Sequence, residues 1–305
     1  MTLLPCWLAN TLMWPNLRLI GFESLISRGH VEDVDGDTTL SLDVRARHER
    51  GREYYSWIDT RERRSAWSAQ ECLAAASVTV LGVGGIGGAV ASMLVAAGIG
   101  SIRLVDFDRV DTSNLNRQLL FRESTVGSTK VDAAAETLRT LNSAVTIDVV
   151  NSKITCVADI RQLIAGRDLL CLCADLPAAM PYWASEAAFA ESVAMVNCSY
   201  AGPMLNFGLL VPGVTGCYRC MRQSEEERMK NEGRADLYSD APPAVNAVIG
   251  STAYMAGSWA AYEAIRYLAD LMPQTVGRFF HQNLFDYSQS YYIDAPRRAG
   301  CEICK

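Results

Sequence analysis

Gly82, Gly84, Gly85 and Gly87 stand in the run GVGGIGG, where the apolar strand-like segment SVTVLG hands over to the helical run AVASMLVAAG. Glycines at such a junction let the backbone turn tightly and approach a phosphate, and the N-terminus of the following helix adds partial positive charge. Asp106 closes the next strand-like segment, SIRLVD, about 20 residues on, where a carboxylate can accept from ribose hydroxyls. These residues specify a nucleotide. A nicotinamide-dinucleotide oxidoreductase fits them as well as an ATP enzyme does.

The residues that follow separate the two. Asn114 and Arg117 lie in DTSNLNRQ directly after that strand, and Lys130 opens the next helical stretch. A triphosphate needs several cationic and N–H donors, whereas a nicotinamide needs a hydride pocket. Asp175 follows the apolar run DLLCLCA, at the same edge of the expected sheet, where a carboxylate can hold magnesium between phosphate oxygens.

Four of the ten cysteines form two CxxC pairs, Cys217/Cys220 and Cys301/Cys304. Each pair can offer two thiolates to one tetrahedral zinc ion, with the ion clipping the C-terminus back onto the domain. A redox role is the alternative, but neither pair opens a thioredoxin-like helix. A closed four-thiolate site leaves no position for substrate, so its role is structural.

These groups need a scaffold. Apolar strand-like segments alternate with helical ones from Ser77 onward, which predicts an α/β fold with a doubly wound, mostly parallel sheet. Helices are expected from the end of the glycine turn, over Lys130 to Asn142, over Tyr182 to Ala190 and from about Ala244. DLLCLCA reads as the third strand, MVNCSY and NFGLLV as later ones, and Gln223 to Asp236 as a charged loop. Strand-like text continues to the C-terminus, giving a β-rich, zinc-clipped final part. Residues 1–68 form a separate N-terminal segment, with Arg45 to Arg64 reading as a solvated helix around Tyr54, Tyr55 and Trp57; residues 69–305 form the nucleotide domain.

With 305 residues, half of them hydrophobic, the chain can bury a substantial core. Its net charge of −6 argues against general attraction to nucleic acid or anionic membranes. Three histidines (His30, His48, His281) are too few and too scattered for histidine-based metal chemistry. No signal peptide and no membrane span are apparent, and the single cysteines in apolar runs suit a cytoplasmic setting.

GVGGIG, LVDFDRVDTSNLNRQLLF, VGSTKVDAA, CAD and the paired CxxC units, in this order, resemble the MoeB/ThiF branch of the ubiquitin-activating superfamily from about Ala69 to Lys305. VNCSYAGPMLNFGLLVPGVTGCYRC and APPAVNAVIGSTAYMAG are most similar to the microcin-type peptide-adenylating enzymes of the MccB type. The resemblance implies an ATP-dependent adenylyltransferase in which Asp106 holds the ribose, Asn114, Arg117 and Lys130 contact phosphates, and Asp175 holds magnesium. Asp108 and Gln118 travel with the same cofactor-binding motif. Cys217, Cys220, Cys301 and Cys304 would hold zinc. The family works as a homodimer in which an N-terminal arginine reaches the partner's site; here that arginine is out of register, with Arg52 and Arg61 as nearby substitutes. The substrate would be a peptide or small carrier protein, and a non-catalytic leader-peptide scaffold is the alternative from another class. No cysteine lies between Gln223 and Pro243, so a thioester step has no nucleophile there. Cys198 reads as core.

Overall fold

The computed structural model describes residues 38–59, 65–233 and 246–304. Its centre is one sheet of eight strands: β1 (Ser77–Leu81), β2 (Ser101–Asp106), β3 (Thr146–Asn151), β4 (Leu169–Leu172), β5 (Ala194–Ala201), β6 (Met204–Leu210), β7 (Arg278–Asn283) and β8 (Ser290–Asp294). Their spatial order is β3-β2-β1-β4-β5-β6-β7-β8. The first five are parallel and the last three join antiparallel. The chain runs outward from β1 to β3, then returns across β1 to β4. The loops leaving β1 and β4 therefore part at their carboxyl ends and open the crevice where ligands of such sheets bind.

The helices are α1 (Leu42–Ile58), α2 (Ser68–Ala75), α3 (Gly85–Ala96), α4 (Lys130–Leu141), α5 (Val157–Ile164), α6 (Met180–Ala190), α7 (Tyr218–Asn231) and α8 (Gly250–Leu268). One sheet face packs Val78, Val80, Ile102 and Leu104 with residues of α3, α4 and α8; the other packs Leu81, Leu170, Leu172 and Met195 with residues of α5 and α6. The central strands are buried on both faces, as parallel strands must be when helices cover both sides. The composition of α8 follows from its neighbour. A Cβ on Gly257 would come within 2.6 Å of the Ile86 carbonyl oxygen and of Ala89 Cβ, so only a side chain of hydrogen lets α8 approach α3 so closely. Among the described residues, no helix is long and apolar enough to cross a membrane.

The α/β doubly wound sheet and its β-rich C-terminal part are as the sequence reads, with four local differences. Before DLLCLCA the structure inserts β3 and α5, so that run supplies the fourth strand. TIDVVN is an edge strand with half of its residues exposed, and its alternation lacks the unbroken apolar character of the central strands. The helix of the glycine segment begins at Gly85, inside the expected turn. The C-terminal Ala/Gly-rich helix starts at Gly250, after residues 246–249, which form no regular element. Finally, the charged stretch after Cys220 is helical to Asn231. Arg228–Glu232 and Lys230–Glu226 are spaced i, i+4 on its surface, and Arg298 binds Glu227 from the C-terminal segment at 2.7 Å. Such pairs support a helix with almost no apolar face. Glu232 and Gly233 form a turn, and residues 234–236 lie outside the described residues.

The charged N-terminal stretch forms α1, capped by Ser41 Oγ, which accepts from Val44 N. His48 and Tyr55 are buried beneath it. Arg47 donates to the Leu141 carbonyl at the end of α4, and the Tyr54 hydroxyl meets that of Tyr262 at 2.7 Å.

Candidate nucleotide and metal sites

The glycine turn lies at the carboxyl ends of β1 and β4. Gly82 adopts φ +92°, and a Cβ there would stand 2.8 Å from Ala174 N, just beyond β4. Gly87 is more constrained still: its Cβ would sit 1.8 Å from the Gly82 carbonyl oxygen. The first turn of α3 is thus folded tightly against the strand that precedes it, and its N-cap, Gly84, supplies no side-chain cap. The free N–H groups of that first turn face the crevice as an anion-binding end. Gly87→Ala should overpack this contact at a cost of about 1–3 kcal/mol, lowering the melting temperature and weakening ATP at least severalfold; melting curves and ATP titration check both.

Asp106 ties the turn to β2. One carboxylate oxygen accepts from Val83 N at 2.8 Å and the other from Asp108 N at 2.9 Å. Each oxygen keeps a lone pair for a further donor. Lys130, first residue of α4, is buried, and its Nζ binds Asp108 Oδ2 at 2.8 Å. The buried ammonium is thus faced by a half-exposed carboxylate. Two N–H donors of the ammonium remain.

Asn114, Arg117 and Gln118 come from the loop between β2 and α4. Asn114 Oδ1 accepts from Asp111 N at 3.2 Å, closing a short 3-10 turn, and the Asn114 carbonyl accepts from both Arg117 N and Gln118 N. Arg117 Nη1 donates to Ser113 O and Asn116 Oδ1 at 2.8 and 2.9 Å. Gln118 is buried beside Gly84, its Oε1 without a hydrogen-bond partner. An unmet buried acceptor is costly, so its place at the mouth of the glycine turn suits a donor from a ligand. Asp175 lies three residues past the end of β4, exposed at the same crevice. The glycines, Asp106, Asp108, Asn114, Arg117, Gln118, Lys130 and Asp175 thus gather at one end of the sheet.

Two residues of this site escaped the sequence reading. Tyr200, near the end of β5, is half-buried. Burial raises the pKa of its phenol and the charge of Asp175 adds to that, while the Arg117 guanidinium opposes it. Asn246 bridges backbone from the approach to α8: its Nδ2 donates to Tyr200 O at 2.8 Å and its Oδ1 accepts from Gly202 N at 3.2 Å. A tyrosine in a strand carries no local signal of a site, and an asparagine before a helix reads as a cap.

The two CxxC pairs meet. The four Sγ atoms all lie within 4.8 Å of one another, with Cys217–Cys220 at 3.8 Å, Cys217–Cys301 at 3.6 Å and Cys220–Cys304 at 3.5 Å. A disulfide would need about 2.05 Å, whereas four thiolates about 2.3 Å from one zinc stand about 3.8 Å apart. The arrangement fits a tetrahedral ion. Burial pushes the Cys217 and Cys220 thiols up; against its own burial, backbone N–H groups at Cys304 and Ile303 and the neighbouring thiols bring Cys301 down to about 6. A bound cation would offset the cost of the remaining charges.

Cys156, Cys171, Cys173 and Cys198 are free thiols. Cys198 is buried, its Sγ against the Ala256 carbonyl, and burial drives its pKa far up; it is a core residue. Arg52 lies in α1, bonded to Glu49 and over the Trp67 ring at 5.5 Å. Arg61 falls outside the described residues.

A family model described as the ThiF family matches residues 60–303. The molybdopterin-synthase adenylyltransferase of Escherichia coli K12 is 30% identical over 243 residues, which span 78% of this chain and 90% of that protein. The adenylyltransferase and sulfurtransferase MOCS3 of Bos taurus is 34% identical over 238 residues, 76% of this chain and 49% of its own. Among solved structures, E. coli MccB with AMPCPP and MccA superposes with a TM-score of 0.73 at 25% identity, covering 85% of this chain and 74% of that one. The crevice, the gathered charges and these similarities agree: the chain belongs to the ThiF family and is an ATP-dependent adenylyltransferase.

Proposed function

We propose that this enzyme activates the C-terminal carboxylate of a short ribosomal peptide as its acyl-adenylate. The observation that carries the adenylation chemistry is the convergence of the glycine turn, Asp106, Lys130, Arg117 and Asp175 on one crevice. A substrate carboxylate is ionised near neutral pH and needs no base. Its oxygen attacks the α-phosphorus of ATP, the new C–O–P linkage forms and pyrophosphate leaves. Asp106 would accept from the ribose, Asn114 and the glycine N–H groups would orient the phosphates, and Gln118 would orient the same loop. Lys130 and Arg117 would neutralise charge on them, and Asp175 would hold magnesium. Zinc at the four cysteines would serve stability. Cys198 is buried and no cysteine lies between Gln223 and Pro243, so the reading ends at the adenylate or its direct transfer.

The peptide reading is supported by the structural likeness to MccB solved with MccA, and by the aromatic character of the N-terminal segment, where Trp57 and Tyr54 are exposed on α1. We assign residues 1–68 to peptide gripping or to a homodimer arm, and the enzyme to the cytoplasm, where free thiols persist. A second reading, adenylation of a sulfur-carrier C-terminus, is favoured by the 30% identity to molybdopterin-synthase adenylyltransferase. Incubation with ATP, magnesium and the peptide encoded beside the gene, followed by mass spectrometry, should show an adenylated or further modified peptide. An unchanged peptide together with adenylation of a carrier ending in Gly-Gly would overturn the peptide in favour of the carrier.

A further inference from the structure

Glu263, on α8, is buried to 3% exposure. Its hydrogen bonds all end on one oxygen: Gln274 N, Thr275 N and Thr275 Oγ1 each donate to Oε2 at 2.7 Å. Among the described residues, Oε1 has no hydrogen-bond partner and no lysine or arginine pairs with the carboxylate. A glutamate is almost never buried this fully unless paired, and an unmet buried acceptor is costly.

The side chain lines a cavity of about 340 Å³ whose other walls are mainly aromatic: Phe207 from β6, Phe280 from β7, Tyr292 from β8, and Trp259 and Tyr262 from α8. Trp259, Tyr262 and Glu263 are spaced i, i+3, i+4 and so share one face of the helix. The Phe207 ring centroid lies 5.8 Å from that of Trp259 and 5.7 Å from that of Phe280, and Phe280 lies 5.0 Å from Tyr292. The rings thus brace one another into a wall. Trp259 and Tyr292 are 36% and 45% exposed, which opens the cavity to solvent. Arg266 lies over the Tyr262 ring at 5.4 Å and Arg278 over the Tyr292 ring at 4.2 Å, but neither forms an ion pair with Glu263. Thr275 O accepts from Leu209 N near the end of β6, which runs antiparallel to β5. The cavity therefore lies towards the amino ends of the parallel strands, away from the nucleotide crevice.

An open carboxylate oxygen and aromatic faces around one apolar space attract a cation on an apolar stem. Three donors already occupy Oε2, so a guanidinium cannot take both oxygens side by side, whereas an ammonium needs only one. We propose that this cavity binds a primary alkylammonium group, the chemistry shared by a lysine side chain and a free alkyl amine. Its N–H donates to Glu263 Oε1 and its stem lies against the aromatic wall. The inference does not depend on the nucleotide reading. The test titrates the full chain with n-pentylammonium and with Nα-acetyl-lysine N-methylamide, beside the uncharged controls 1-pentanol and the Nε-acetylated derivative, read by saturation-transfer NMR. At least one ammonium probe should bind about tenfold or more tighter than its control, and the tighter of the two identifies the source as side chain or free amine. Glu263→Gln keeps an acceptor for the three loop donors and should abolish the preference for charge. Trp259→Leu, at a partly exposed position, should weaken the ammonium severalfold, and it carries the test should the first variant fail to fold. ATP with magnesium should not displace the probe. Equal binding of charged and uncharged probes, no binding of any, or displacement by ATP would overturn the proposal while leaving the adenylation reading standing.

Discussion

Lys130→Ala and Asp175→Ala should each reduce ATP–pyrophosphate exchange by about 100- to 1,000-fold, equivalent to about 3–4 kcal/mol of transition-state stabilisation. The fold should survive both changes, for different reasons. Asp175 is exposed and lies beyond the end of β4, so its truncation removes no packing. Lys130 is buried, but α4 retains its N-cap, Thr129, whose side chain accepts from Asp132 N, and the abandoned Asp108 carboxylate is half-exposed and can take water. The charges act where developing negative charge on the phosphates has few other partners, so each should appear mainly in the rate. Exchange assays with the cognate carboxylate, alongside circular dichroism of each variant, separate chemistry from folding. Near-wild-type exchange in both would remove these residues from the site.

The zinc prediction has the larger structural effect. Purified protein should carry about one zinc per chain, and Cys217→Ser or Cys304→Ser should lose it together with on the order of 10 °C of melting temperature. The reasoning begins with chain connectivity. Cys217 and Cys220 open α7, whereas Cys301 and Cys304 belong to a C-terminal segment that contains no regular secondary structure. Besides the cysteine cluster, the polar contacts of that segment are those of Arg297, which donates to the Cys304 and Gly213 carbonyls, and Arg298, which reaches Glu227 and Ser224. These contacts contribute modestly each, so a bound ion would be the main clip. Cys156→Ser, at an exposed thiol away from the cluster, serves as the control and should change neither zinc content nor melting. Metal-free protein with four freely titrating thiols would refute the assignment.

The sequence by itself determined everything encoded at short range. Turn glycines, an acid about 20 residues on, a cation opening the next helix and two CxxC pairs are each local patterns. Their order along an alternating βα chain places them at one sheet end, since every parallel strand finishes on the same side. Even the joining of Cys217/Cys220 to Cys301/Cys304 was legible, because two half-sites of two thiolates complete one tetrahedral ion.

Tertiary structure alone decided the rest. The edge strand β3 escaped because exposure dilutes its apolar pattern, and α7 escaped because its stability comes from charge pairs rather than from an apolar face. That α8 is a helix was legible, but the reason for its small residues came only with α3 packed against them at Gly257. Tyr200 and Asn246 became part of the site only when β5, the loop after β2 and the approach to α8 were brought together. Asn246 reaches Tyr200 and Gly202 from another element, and no spacing rule connects residues whose contact depends on how strands are ordered in the sheet.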